Sequence, residues 1–367
     1  MMNSQITRVL FITIITLLLL ISIITINVRN ERHMHMLQRK LLQISPLHEE
    51  EHSVTLNKTH KNDNSNNTAL LTELRQRMKP SDLICSTESC PEKQFFHLHH
   101  MKSGGTSVDS WIYCVRKRFQ QARQGLVIPS SSLSECSVTY FKDCLKDENH
   151  ACRSRIASSA MMSYCAPLFT PNMLGWDKAR AITMLRHPVD RVWSMYRYTT
   201  LYCYQCKTLK QVYQFIDLGQ TETMPGVCAP QITNHMTRNL LSNQDPTLDL
   251  QGQLENAMYN LKHRFTVVMV LERLQESIDL VQYSFPWMKT TIEGSSQVCE
   301  FPHANASPQN NRCGPNNTHL PLPSHPDEET RALIIQHNQL DLQLYEAALQ
   351  YFELQLQAVG DVDESVE

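Results

Sequence analysis

Hydrophobic and polar positions divide the chain into an apolar segment, a polar stretch and a patterned domain. The apolar segment is "VLFITIITLLLLISIITINV", Val9–Val28, with no charged residue. At about 1.5 Å of rise per residue it reaches about 30 Å, the thickness of a bilayer core. It predicts a transmembrane signal-anchor behind a short tail, residues 1–8. A cleaved signal peptide would have a shorter apolar core and an A-x-A-like site, and neither is present. Residues 29–93 read as a stem. Their stretch "HKNDNSNNTA" offers nothing from which to build a core, so a tether is expected. Met34, Leu37, Leu41 and Ile44 have roughly helical spacing, which fits a brief amphipathic helix or a weak dimerising coil. A homo-oligomer is therefore an open expectation.

From residue 94 to 358 the pattern becomes that of a folded domain. "QFFHLHH" is short and aromatic-rich, as a strand is. After the break "MKSGGTS", residues Val108, Trp111, Ile112, Val115 and Phe119 follow the spacing of an amphipathic helix. A second strand–turn–helix unit runs from Ala181–Leu185, past Pro188, into a helix opening near Asp190. "FTVVMVLERLQESIDLVQ" makes a third. Strands alternating with helices predict an α/β fold, a parallel sheet flanked by helices on both faces. One long closing helix is expected from "DEETRALIIQHNQLDLQLYEAALQYFELQLQ", and residues 359–367 read as a polar tail.

Composition adds the compartment. The chain has 367 residues and a formal net charge of −2, so no global field points to nucleic acid, and no nucleic-acid motif is present. All 12 cysteines follow the apolar segment, from Cys85 to Cys313. N-x-[ST] sequons stand at Asn57, Asn66, Asn305 and Asn316, the third weakened by Pro308. Together they predict an oxidising, glycosylating lumen. Basic residues flank the apolar segment on both sides, but long downstream domains cross largely regardless of charge. Cys299 and Cys313 close a Pro- and Asn-rich excursion and are expected to pair. Cys203 and Cys206 form a C-x-x-C, and with no second such pair a zinc knuckle is the weaker reading.

Two turns carry the chemistry. Ligands of parallel sheets sit beyond the C-terminal strand ends. Lys102–Ser107 lies at such an end and opens a helix, where free N–H groups and the helix dipole favour an anion. Gly104, Gly105, Thr106 and Ser107 would offer N–H groups and hydroxyls, and Lys102 a mobile cation. The lysine precedes the glycines, so this is not the G-x-x-x-x-G-K-[ST] of an ATPase. Alone it reads as a glycine turn before a helix. The second turn, "LRHPVDRVWSMY", puts Arg186 at a strand end and Ser194 in the next helix. Both would reach one phosphate, Arg186 as a forked donor.

The pair resembles the cofactor motifs of the sulfotransferases. His99, Lys102, Ser103, Gly104, Gly105, Thr106 and Ser107 match H-x-x-K-[ST]-G-G-T-S; Arg186, Pro188, Arg191, Ser194 and Tyr196 match R-x-P-x-x-R-x-x-S-x-Y. The chain is most similar to the Golgi carbohydrate sulfotransferases of the heparan-sulfate 2-O and 6-O type. Pieces around Glu272, Ser277 and Ile278, and around Asn338, Asp341, Leu344, Tyr345 and Ala348, are similar to further family segments. The resemblance implies a P-loop-like fold and the co-substrate 3′-phosphoadenosine 5′-phosphosulfate, with no metal. It implies that Lys102, Ser103, Gly104, Gly105, Thr106 and Ser107 hold the 5′-phosphosulfate, that Arg186 and Ser194 hold the 3′-phosphate, and that a carbohydrate hydroxyl accepts the sulfuryl group. It also implies a single-pass type II Golgi membrane protein with a lumenal domain.

The sequence departs from the family at the general base. The family's histidine lies between the two motifs, where "RIASSAMMSYCAPLF" has none. His99 and His100 are the candidates, with His150 and Asp109 behind them. His97 and His99 share a strand face and His100 takes the other. Asp109 is expected at a helix surface. "VRKRFQQAR" and "RSR" would offer cations to an anionic acceptor, or be solvated faces. A different nucleotide-dependent transferase and an inactive glycan-binding member of the same fold are the alternatives. The sole D-x-D, Asp361–Asp363, stands in the tail, a poor place for a metal-dependent glycosyltransferase.

Overall fold

The structure is a computed structural model that describes residues 64–80, 95–122, 134–135, 161–164, 178–220, 228–241, 248–291, 298–302 and 322–363. The apolar segment Val9–Val28, the sequons at Asn57, Asn305 and Asn316, His150, Arg153–Arg155 and Cys313 lie outside these residues. Among the described residues no helix is long and apolar enough to cross a membrane.

The elements in order are α1 (Asn64–Met78), β1 (Phe95–Leu98), α2 (Gly105–Ala122), β2 (Ser134–Glu135), β3 (Met161–Tyr164), β4 (Arg180–Leu185), α3 (Pro188–Tyr204), α4 (Leu209–Asp217), α5 (Cys228–Ile232), α6 (His235–Asn239), α7 (Leu250–Arg264), β5 (Val267–Val270), α8 (Leu274–Ser284), α9 (Glu328–His337) and α10 (Gln339–Asp363). The strands form one sheet in the order β2-β3-β1-β4-β5, and every pair is parallel. All four residues of β1 and all four of β5 are buried. Successive strand residues point to opposite faces, so both faces of the central sheet are covered. The mixed α/β architecture expected from the alternating pattern is present.

Chain order makes the ends of β1 and β4 special. After β1 the chain proceeds to β2 on one side; after β4 it proceeds to β5 on the other. The two crossovers diverge at the C-terminal ends of β1 and β4, the switch point where open parallel sheets hold their ligands. Strand β5 is finished by a serine clamp. Ser277 Oγ of α8 accepts from Val270 N at 2.9 Å and donates to Val270 O at 3.0 Å. Gln355 of α10 covers the other end, accepting from Val268 N and donating to Thr266 O.

Three elements differ from the sequence expectation. The stretch read as stem contains α1, whose Leu74 and Met78 are fully buried in the sheet-centred core; its apolar positions recur at helical spacing within a polar segment. The closing helix is two helices broken at Asn338. That side chain is buried because it is needed elsewhere: Oδ1 accepts from Asn234 N at 2.9 Å, and Nδ2 donates to Ile232 O and Ile334 O. Finally, α10 continues through the expected polar tail as far as Asp363.

Asp341, one turn after the break, binds the other side of the same excursion. Its carboxylate accepts from Met236 N, Thr237 N and Thr237 Oγ1 and stands 3.8 Å from Arg191 Nη2. Both side chains of this ion pair are 0 % exposed. Removing one partner of such a pair strands a buried charge. Asp341→Ala is therefore expected to lose about 3–5 kcal/mol of stability, measured as a fall in the urea midpoint without a change in slope.

Candidate functional site

The β1–α2 turn is built around two left-handed backbone positions. Gly104 has φ +82°, and a Cβ there would stand 2.6 Å from Met184 Sδ. Lys102 takes φ 64° with a full side chain, a conformation uncommon outside glycine and characteristic of strained functional loops. Gly105 answers a different need. A Cβ on it would stand 2.0 Å from His99 Cδ2, so the imidazole lies against a bare backbone. Ser107 N and Val108 N both donate to Gly104 O. Ser107 can thus offer an anion its hydroxyl, and its amide is already engaged. The amides of Gly105 and Thr106 have no acceptor among the described residues, as the first N–H groups of a helix generally lack one.

Asp109 is not the surface carboxylate expected from the sequence. Its Oδ1 meets His97 Nδ1 and its Oδ2 meets His99 Nδ1, both at 2.9 Å. One helical turn after Gly105, it reaches back over the strand end and takes the shared face of both histidines. Burial alone would raise its carboxyl pKa. The hydrogen bonds from His97 and His99 outweigh that and hold it well below the usual carboxylate range. With Nδ1–H donating to a carboxylate, Nε2 is the nitrogen of His99 left to accept a proton.

His100 sits on the opposite side, 1 % exposed, with its ring 6.4 Å from that of His235. Neither of its ring nitrogens has a hydrogen-bond partner. Burial, with Arg191 beside it, lowers its pKa to about 3. His100 is thus a neutral core imidazole.

The second turn locks onto the first. Arg186 follows β4 directly, and its Nη1 donates to Lys102 O at 3.2 Å. Lys102 Nζ lies 4.3 Å from the centre of the Tyr198 ring. Ser194 precedes Tyr198 by one turn, so it shares the face of α3 that meets Lys102. Partial burial lowers the Lys102 pKa, and the nearby guanidinium groups of Arg186 and Arg197 lower it further. Lys102 and Arg186 therefore stand at two adjacent strand ends, with Arg197 of α3 near enough for its charge to act on Lys102. Arg197 and Tyr198 were not singled out from sequence; their signal was the spacing of 194, 197 and 198 on one helical face.

Around these groups is a frame. Glu272, just past β5, accepts from His187 N at 2.8 Å and from Tyr345 OH at 2.8 Å. It ties the third strand end to the start of α3. Arg191 points inward, where it is fully buried and donates to Gln231 O. Tyr196 OH donates to Lys207 O. Of the sequence-motif residues, Lys102 and Arg186 thus meet, and Ser194 lies on the same helix face as Tyr198, which Lys102 touches. Arg191 and Tyr196 belong to the packing behind them.

Several other expectations change. Cys299 pairs with Cys114, 185 residues away, and so is not joined to Cys313. Trp111 Nε1 donates to Cys299 O, laying that segment across α2; spatial neighbours replaced sequence neighbours. Cys203 pairs with Cys228, and Cys206 is also disulfide-bonded, which removes both from a zinc knuckle. Among the described residues no group of His, Cys, Asp and Glu is arranged to hold a metal ion. Arg118, offered as an acceptor cation, is 2 % exposed and donates to Lys289 O and Thr290 O. Lys117 remains at the surface, over the Tyr113 ring.

No protein-family model matches the chain, and no curated protein matches it.

Gly105→Ala is expected to dislodge the His99 ring, seen as a shifted histidine side-chain NMR signal, while the circular-dichroism spectrum is kept. His100 also gives the stability a pH dependence. Its folded pKa lies below the unfolded value near 6.5, so its contribution is complete above about pH 6.5 and is lost as pH falls toward 3. Urea midpoints from pH 7.5 to 4.5 should fall less steeply in His100→Leu than in the parent chain.

Proposed function

We propose that the chain is a sulfotransferase that moves a sulfuryl group from 3′-phosphoadenosine 5′-phosphosulfate to a carbohydrate hydroxyl. The reading includes a single-pass type II anchor in the Golgi membrane, with the domain in the lumen. The observation that carries it is the bond from Arg186 to the Lys102 carbonyl, which makes one crevice of two turns. A bisphosphorylated nucleotide needs two anion sites on one rigid frame, and the turns at the ends of the paired strands β1 and β4 would supply them.

The residues present fit such a group. Lys102 stands beside Arg186, and the charges acting on Lys102 are the guanidinium groups of Arg186 and Arg197. The Ser103 hydroxyl is fully buried and has no partner. Lys102, Gly105, Thr106 and the Ser107 hydroxyl would hold the sulfated end. Arg186 and Ser194 would hold the other phosphate, with Arg197 at their side.

The co-substrate supplies an activated sulfuryl group and two phosphate handles. Pre-placed N–H groups and an ammonium favour negative charge at the helix start without reorganisation. The strained backbone of Lys102 fixes where that ammonium begins, and the Tyr198 ring holds its end. His99 is the base this reading selects. Asp109 fixes its tautomer, whereas His100 is closed off and resists protonation. Asp109 acts through His99 as a positioning residue.

The test is a titration with adenosine 3′,5′-bisphosphate followed by radiolabelled sulfonyl donor and a panel of glycans. Saturable binding and labelled product are expected; no nucleotide binding would remove the proposal. Lys102→Ala should lower turnover at least about a hundredfold while nucleotide affinity changes far less. An equal loss in both would assign Lys102 to binding alone.

A further inference from the structure

A second charged site lies at the opposite end of the sheet. A pocket of about 410 Å³ opens where α1 and α7 end and where β4 and β5 begin. It is lined by Arg77, Lys79, Lys178, Arg180, His263 and Arg264, with Gln76, Ala179 and Thr266 completing it. The six residues of β4 separate it from Arg186 by about 20 Å. It belongs to no part of the crevice described above.

Its cations divide into two kinds. Three arginines are committed to the fold. Arg77 donates to Lys262 O, Phe265 O and Tyr351 OH; Arg180 donates to Arg77 O; Arg264 donates to Ala179 O. Such contacts suit cations at helix C-termini, where carbonyl groups carry partial negative charge. They also fix the guanidinium groups in place. Arg180 is held between this carbonyl and the ring of Phe285, 4.5 Å from its centre, and burial lowers its pKa to about 10. Lys79 and Lys178 are exposed at the rim, and neither has a carboxylate partner among the described residues. The carboxylate at hand is Glu73, which stands beside Arg77 and His263.

We propose that this pocket is an accessory site for a sulfated glycan chain, separate from the site of transfer. Among the described residues five permanent cations stand about one carboxylate, and Lys79 and Lys178 make none of the contacts that hold the arginines to the fold. Fixed guanidinium forks match tetrahedral oxyanions, and mobile ammonium groups at the rim extend the reach along a polyanion. The choice of a glycan as the polyanion rests on the proposed function, since a sulfated chain is then the product. A chain held here would stay with the enzyme between transfers.

The test uses the full chain in detergent and a highly sulfated heparin-type oligosaccharide, with binding followed by fluorescence anisotropy at several salt concentrations. The parent chain should bind, and K79E/K178E should bind at least about tenfold more weakly with a shallower salt dependence. Adenosine 3′,5′-bisphosphate affinity should be the same in both proteins, which also shows that the variant is folded. Absence of oligosaccharide binding, or equal binding by parent and variant, would overturn the site. Competition by inorganic sulfate alone at millimolar concentration, with no preference for the oligosaccharide, would also overturn it. Loss of nucleotide binding in the parent with oligosaccharide binding intact would instead count against the proposed function.

Discussion

Asp109 satisfies two buried imidazoles at once, and the crevice takes its shape from that bond. A carboxylate shared by His97 of β1 and His99 just past it pins the first turn of α2 to the strand end. The intervening residues must then reverse direction in very little space. Lys102 and Gly104 do so with positive φ, and Gly105 must lack a Cβ because the His99 ring occupies its place. Each glycine answers a named neighbour. The same compression lifts the Lys102 carbonyl to where Arg186 can donate to it, so the second turn inherits the geometry of the first.

The remaining polar groups hold that frame from outside. Glu272 joins the end of β5 to the start of α3 and to α10. Asn338 and Asp341 join α10 to the segment around α5 and α6, and Asp341 faces Arg191. Glu272 does so from an exposed position, whereas Asn338, Asp341 and Arg191 are buried and are satisfied mainly by backbone groups of distant segments. Such bonds are costly to break singly, which makes the frame rigid where three strand ends meet. Rigidity there suits electrostatic work, because fixed dipoles and cations need not rearrange when charge develops.

The basic pocket at the other end of the sheet follows a different logic. Helix C-termini gather there, and Arg77 and Arg180 donate to their carbonyls, while Arg264 donates to Ala179 O at the start of β4. The lysines at its rim do not share that task. One sheet thus carries positive charge at both ends, with arginines tied to backbone carbonyls at one and Lys102 beside Arg186 at the other.

Much of this was legible in the chain. The strand–turn–helix units could be read because apolar spacing changes period where Gly104, Gly105 and Pro188 interrupt it. The neighbouring turns could be anticipated because parallel strands present the same ends. The carboxylate of Asp109 could not, since a helical period places it one turn along but does not show that strand histidines face it. Arg118, Arg191 and Asn338 were hidden for a related reason: polar residues look solvated until tertiary contact supplies their partners. The Cys114–Cys299 bridge lay beyond reach because 185 residues separate its ends. Local sequence determined the elements and the types of group at each turn, because period and backbone sterics act over a few residues. Tertiary structure alone decided which groups meet, because a buried charge is stabilised by whatever distant atom the fold brings to it.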